Sequence, residues 1–215
     1  MSTTQALLSF ALVAVALTVM PGLDTALVLR TSVVRGRGHA WAAAFGIGAG
    51  CLVWGVAAAV GASALLAASH TAYRALTVAG ALYLVAFGAR LLWGSRRRGR
   101  PEPALGDAVG GGAAPRPLAA TFAAGAATNI LNPKIGVFYV ATIPQFIPEG
   151  ASHLLMGVLL AVEHNVIGLL WFAGVITGTR WATRWLGGPS VVRLTDRATG
   201  VLLVAFGIRL AANAR

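Results

Sequence analysis

The chain has 215 residues, of which 57% are hydrophobic and 11% charged, and its mean hydropathy is +0.77. A water-soluble domain carries far more charge on its surface, so a soluble fold is excluded. The net charge of +11 does not point to nucleic acid, because the arginines gather in the segments between apolar runs.

Six apolar segments are each long enough to cross roughly 30 Å of hydrocarbon. They are Thr4–Val34, Ala40–Ala68, Thr71–Trp93, Leu118–Phe146, His153–Thr179 and Thr195–Ala212. The expectation is an all-α integral membrane protein with six transmembrane helices. The ten-residue alternation of a transmembrane barrel is absent. Of the 17 Lys and Arg residues, thirteen follow the first segment or lie at or between the third and fourth, or the fifth and sixth. The positive-inside rule then puts those loops in the cytoplasm and both termini outside, with attraction to anionic membrane lipid as a secondary effect.

The first segment opens with "MSTTQALLSF", which lacks the basic region of a signal peptide, so this helix is expected to be retained. Its second half, "MPGLDTALVL", carries Pro21, Gly22 and Asp24. Proline removes a backbone N–H and clashes with the preceding turn, so the helix should break there. A half-helix starting at Pro21 would aim free N–H groups into the bundle, an arrangement suited to a carboxylate. Asp24 would sit in its first turn, as a cation-binding or protonatable group or as a partner for that positive end.

In the second segment, "GIGAG" places Gly46, Gly48 and Gly50 where helices can approach closely, and Cys51 reads as a small packing residue. A single cysteine excludes an internal disulfide. The third segment ends in "LVAFGARL", residues 84–91, and the sixth in "LVAFGIRL", residues 203–210. Between the third and fourth lies "SRRRGRPEPALGDAVGGGAAPRP", a linker rich in Gly, Pro and Arg. The octamer match and a second helix-breaking proline at Pro133 divide the chain into residues 1–94, a cytoplasmic linker 95–117, and residues 118–215. Three helices per half is an odd number, so the second copy must enter from the opposite face: two inverted-topology three-helix repeats, with helices 1 and 4 broken at Pro21 and Pro133.

The fourth segment contains Asn132, Pro133 and Lys134, with Asn132 placed to cap a second half-helix. Lys134, near the middle of the span, suits a substrate carboxylate, a titrating group, or an ion pair with Asp24 or Glu163. The fifth segment carries Glu163, His164 and Asn165 in succession. They fan over about 200° of a helix, so either the helix unwinds there or the stretch borders a wet cavity. Glu163 or His164 is a candidate proton site. No metal site is expected, since His39, His70 and His153 lie near helix ends and no HxxxH spacing occurs. Enzyme signatures such as GxSxG, a P-loop or HExxH are missing, and no cofactor is implied.

Together, "MPGLDTALVL", "RTSVVRGRGHAWAAAFGIGAG", "LTVAGALYLVAFGARLL", "ATNILNPKIGVFYVATIPQFI" and "GLLWFAGVI" resemble the LysE/RhtB family of bacterial amino-acid exporters. The likeness spans all six segments and is weakest in the linker. It implies a multi-pass protein of the bacterial inner membrane, with six helices, that exports amino acids or related metabolites using the proton motive force. Pro21, Gly22, Asn132, Pro133 and Lys134 match motif positions, and Asp24 falls where the family commonly has Asn or Asp. Leu23 stands where the family often has a second proline. The reading is a secondary transporter working by proton antiport, with a homo-oligomer compatible with the sequence and no nucleic-acid partner. The competing reading is a small-cation channel or metal-ion exporter using Asp24 and Glu163.

Overall fold

The structure is a computed structural model that describes residues 2–20, 22–97, 117–179, 181–182 and 189–213. Pro21 and most of the expected linker, residues 98–116, lie outside the described residues. The described chain forms eight α-helices of ten or more residues: α1 (Thr3–Val19), α2 (Leu23–Arg35), α3 (Arg37–Ala68), α4 (His70–Arg97), α5 (Leu118–Ile130), α6 (Pro133–Thr142), α7 (His153–Thr177) and α8 (Pro189–Asn213). A 3-10 turn, Ile143–Phe146, follows α6.

Both expected breaks occur. Met20 leaves the helical region (φ −66°, ψ 119°), as a residue preceding proline must, and α1 and α2 meet at a bend of 53°. In the second half, Pro133 cannot donate to the Asn129 carbonyl, which instead accepts from Asn132 N at 3.1 Å. Asn132 adopts φ −77°, ψ 105°, and its side chain accepts from Lys134 N at 3.1 Å, capping α6. An N-cap of this kind contributes about 1 kcal/mol.

Among the described residues three helices are long and apolar enough to cross a membrane on their own, over Arg37–Leu65, His70–Gly94 and His153–Thr177, and the bent α1–α2 pair passes the same test when its two helices are taken together. Helix α5 is apolar but short, because Pro133 ends it. Helix α8 carries Arg193, Asp196, Arg197 and Arg209, which interrupt its apolar run. The outward faces are apolar: Leu8, Leu12 and Leu155 are 65%, 67% and 73% exposed. Such surface is stable in lipid and not in water.

Helix α3 is the centre of the bundle. Its mostly small residues Ala40, Ala43, Ala44 and Cys51, with Ile47, form a buried stripe at helical spacing, and α2, α5, α6 and α7 pack around it. Gly46 lies against the backbone of α5 at Phe122, and Gly125 of α5 against Ala43, so a side chain at either would force the helices apart. Helices α4 and α8 form the other large contact. A Cβ at Gly88 would stand 2.6 Å from Gly200 O and 2.8 Å from Val204 Cγ2, and one at Gly207 would stand 2.9 Å from Ala81 O and 2.8 Å from Val85 Cγ2. Positions 88 and 207, 81 and 200, and 85 and 204 are each 119 residues apart, the same offset that relates the two octamers. The contacts move in opposite directions along the two helices, so α4 and α8 run antiparallel.

Candidate functional site

The two helix breaks face one another across a single internal cavity. Gly22 and Asp24 come from the start of α2, Lys134 and Ile135 from the start of α6, and His164 and Asn165 from the middle of α7. The cavity measures about 50 Å³, room for a few waters rather than for an amino acid. Leu17, Met20, Ile47, Leu169 and Phe172 supply apolar wall. Gly22 is the N-cap of α2 and provides no side-chain cap, which leaves the N–H groups of that first turn to other partners. A Cβ at Gly22 would lie 2.9 Å from Lys134 Nζ, so the absent side chain is what lets the ammonium sit beside the start of α2.

Asp24 is tied to the second half of the chain. Asn129 Nδ2 donates to Asp24 Oδ2 at 2.8 Å and lies 3.4 Å from Cys51 Sγ. Lys134 is near enough to act on the Asp24 carboxylate electrostatically. The other carboxylate oxygen, Oδ1, is buried with no hydrogen-bond partner. Asn165 Nδ2 on the facing helix is likewise buried and unsatisfied. Unsatisfied buried groups are costly, and in a cavity they mark where a polar ligand or water would bind.

His164 closes one end of the cavity. Its Nε2 is 3.2 Å from Thr18 Oγ1 and its Nδ1 is 2.8 Å from the Tyr139 hydroxyl. Thr18 spends its single hydroxyl proton on Ala14 O at 2.7 Å, so Nε2 must carry the proton that Thr18 accepts. In the neutral ring with its proton on Nε2, the Tyr139 O–H donates to Nδ1. Beyond His164, Phe10 and Phe138 pack edge-on to the imidazole with centroids at 6.4 and 6.0 Å.

Of the residues expected at the site, Gly22, Asp24, Lys134, His164 and Asn165 line the cavity, and Asn132 stands behind Lys134 as a cap. Pro133 supplies the first residue of α6. The expectation for Pro21 falls outside the described residues. Helix α7 is continuous through 163–165, so of the two readings of that stretch the structure has the cavity and not the unwound helix. Glu163 does not line it: one residue earlier on the helix, it points about 100° away, half-buried, with Oε2 unsatisfied. Asn129, Tyr139, Thr18 and Thr25 were not anticipated. An amide at Asn129, three residues before Asn132 in an otherwise apolar helix, was the available signal. The three glycines separate in role: Gly46 meets backbone, whereas Gly48 and Gly50 leave space for the carboxamides of Asn165 and Asn129.

Residues 15–214 match the family model described as LysE type translocator. The chain belongs to this family. Its relatives include an uncharacterized membrane protein, YrhP, of Bacillus subtilis, 27% identical over 95% of this chain and 98% of that one. A leucine efflux protein of an Enterobacter species is 29% identical over 89% of this chain and 88% of its own length. A leucine efflux protein of Salmonella typhimurium is 26% identical over 92% and 91%. No solved structure matches the chain. Family membership makes the protein a translocator, and the membrane-protein relative and the long apolar helices fit a lipid environment.

Proposed function

We propose that the protein exports α-amino acids with an apolar side chain across the bacterial inner membrane, in exchange for protons. The observation that carries this reading is the pairing, in one cavity at two helix breaks, of the Asp24 carboxylate with the Lys134 ammonium. A zwitterion needs both: its carboxylate goes to Lys134 and the uncapped start of α2, and its ammonium to Asp24 Oδ1. The apolar wall of Leu17, Met20, Ile47 and Phe172 takes the side chain. The relatives named leucine efflux proteins support the same class. The small cavity represents a closed state, and Asp24 or His164 carries the exchanged proton.

Two inverted three-helix repeats, both termini outside and the arginine-rich ends cytoplasmic, complete the reading. The antiparallel α4–α8 contact, symmetric under the 119-residue offset, supports the repeat. Alternation would rock one half against the other around the fixed site. The cation-path alternative requires Asp24 and Glu163 on one route, and Glu163 stands away from the cavity.

The test is efflux. Cells overproducing the protein should release leucine or a close analogue, and dissipating the proton gradient should stop the release. Asp24→Asn and Lys134→Ala should each abolish it while the protein still inserts. Normal release from both variants would sink the site assignment.

A further inference from the structure

A second cavity lies at the end of the bundle opposite Arg30, Arg35 and Arg37. It is a cleft of about 570 Å³, far larger than the central one, and open at the surface. Gln5 and Ser9 of α1, Gln145 of the 3-10 turn, Glu149 just beyond it and Arg209 of α8 line it. It therefore holds one carboxylate and one guanidinium. Among the described residues neither Glu149 nor Arg209 makes a hydrogen bond or an ion pair. Two opposite charges that share a cleft without neutralising each other can divide a zwitterion between them. Gln145, held by Thr77 Oγ1 at 3.2 Å, adds an oriented carboxamide.

The cleft and the central cavity are stacked along α1. Ser9 lines the first and Leu17 the second, about 12 Å apart along the helix axis. Between them stands an aromatic cluster. Phe10, fully buried, meets Phe146 edge-on at 5.4 Å and Phe138 at 6.4 Å, and Phe146 stacks on Phe206 at 5.0 Å. Phe10 follows Ser9 on α1, and its ring centroid lies 6.4 Å from that of His164, so along α1 the cluster falls between the two cavities.

We infer that the cleft is an outer binding site for the exported amino acid, with Arg209 on its carboxylate and Glu149 on its ammonium, and that Phe10, Phe138 and Phe146 form the closed gate between it and the central cavity. This rests on the amino-acid reading of the central site and extends it: substrate leaving the centre passes the aromatic cluster and is received by a second zwitterion-matched pair. The site also accounts for Arg209, a cation on the face that the positive-inside rule leaves poor in charge.

The experiment is equilibrium binding of radiolabelled leucine to the purified full chain. Wild type should bind two leucines per chain. Glu149→Gln and Arg209→Gln should each weaken one of them by about tenfold and leave the other, which also shows that the variants fold. Lys134→Ala should do the reverse, and Arg74→Gln, on the same face but outside the cleft, should change neither. Exchanging the charges, with Glu149→Arg and Arg209→Glu together, should recover the weakened site. One leucine per chain, lost only in Lys134→Ala, would overturn the outer site and leave the central reading standing. One leucine lost only in the Glu149 and Arg209 variants would uphold the outer site and count against the central one.

Discussion

Asn129 Nδ2 donates to Asp24 Oδ2 at 2.8 Å, joining residues 105 positions apart in the two halves of the chain. Asn129 is fully buried, so the bond helps to fix where the carboxylate stands. Replacing Asn129 by Leu would leave Asp24 Oδ2 without that donor inside the bundle. The expected cost is about 1–3 kcal/mol, seen as a lower unfolding temperature in detergent, together with a loss of export. Asn129→Gln, which keeps a donor on a longer arm, should lose less of both.

Backbone chemistry made the breaks legible, because proline removes an N–H whatever surrounds it. Met20 and Asn132 left the helical region where Pro21 and Pro133 required it. Which side chains meet in the cavity was less legible. Glu163 and His164 are adjacent and both polar, and no rule of spacing says which of two directions 100° apart faces inward. His164 took the cavity and Glu163 did not. Tyr139 stands among apolar residues of α6, and its role comes only from the position of His164 on another helix. Cys51, read as packing, is indeed buried, yet its sulfur also lies beside Asn129.

Gly22→Ala tests the closeness of the two helix starts. The added Cβ would lie 2.9 Å from Lys134 Nζ, and the flexible lysine end can yield. Folding should therefore survive while the ammonium moves away from the start of α2. Export should fall several-fold, measured as leucine release at equal amounts of inserted protein. Gly38→Ala is the matched control, since nothing lies within 4 Å of its Cβ. Equal export from both variants would show that the position of Lys134 does not matter.

The α4–α8 contact predicts an equality. Gly88 and Gly207 meet the same neighbours under the 119-residue offset, at nearly the same distances. Gly88→Val and Gly207→Val should then destabilise by similar amounts, about 1–3 kcal/mol each, because backbone rather than a flexible side chain stands in the way. Thermal unfolding of the two variants beside Gly61→Val, which meets open space, measures it. A large inequality would mean that the symmetry of the contact carries no energetic weight.

Cys51 offers a reporter inside the proposed site. It is the chain's one cysteine, it lines the central cavity, and it is only 6% exposed. A maleimide can reach it only when the bundle opens, so the labelling rate follows the population of open states. Saturating leucine should slow the reaction by occupying the space next to Asp24, while an amino acid that the protein does not export should leave the rate unchanged. Lys134→Ala should remove the protection without blocking the labelling itself, because it weakens substrate binding and leaves the thiol in place. Reaction at the same rate with and without leucine would place the substrate elsewhere in the protein. Asp24→Asn adds an independent check: it keeps the cavity's shape and removes the charge, so protection that survives in it would assign binding to packing rather than to the carboxylate.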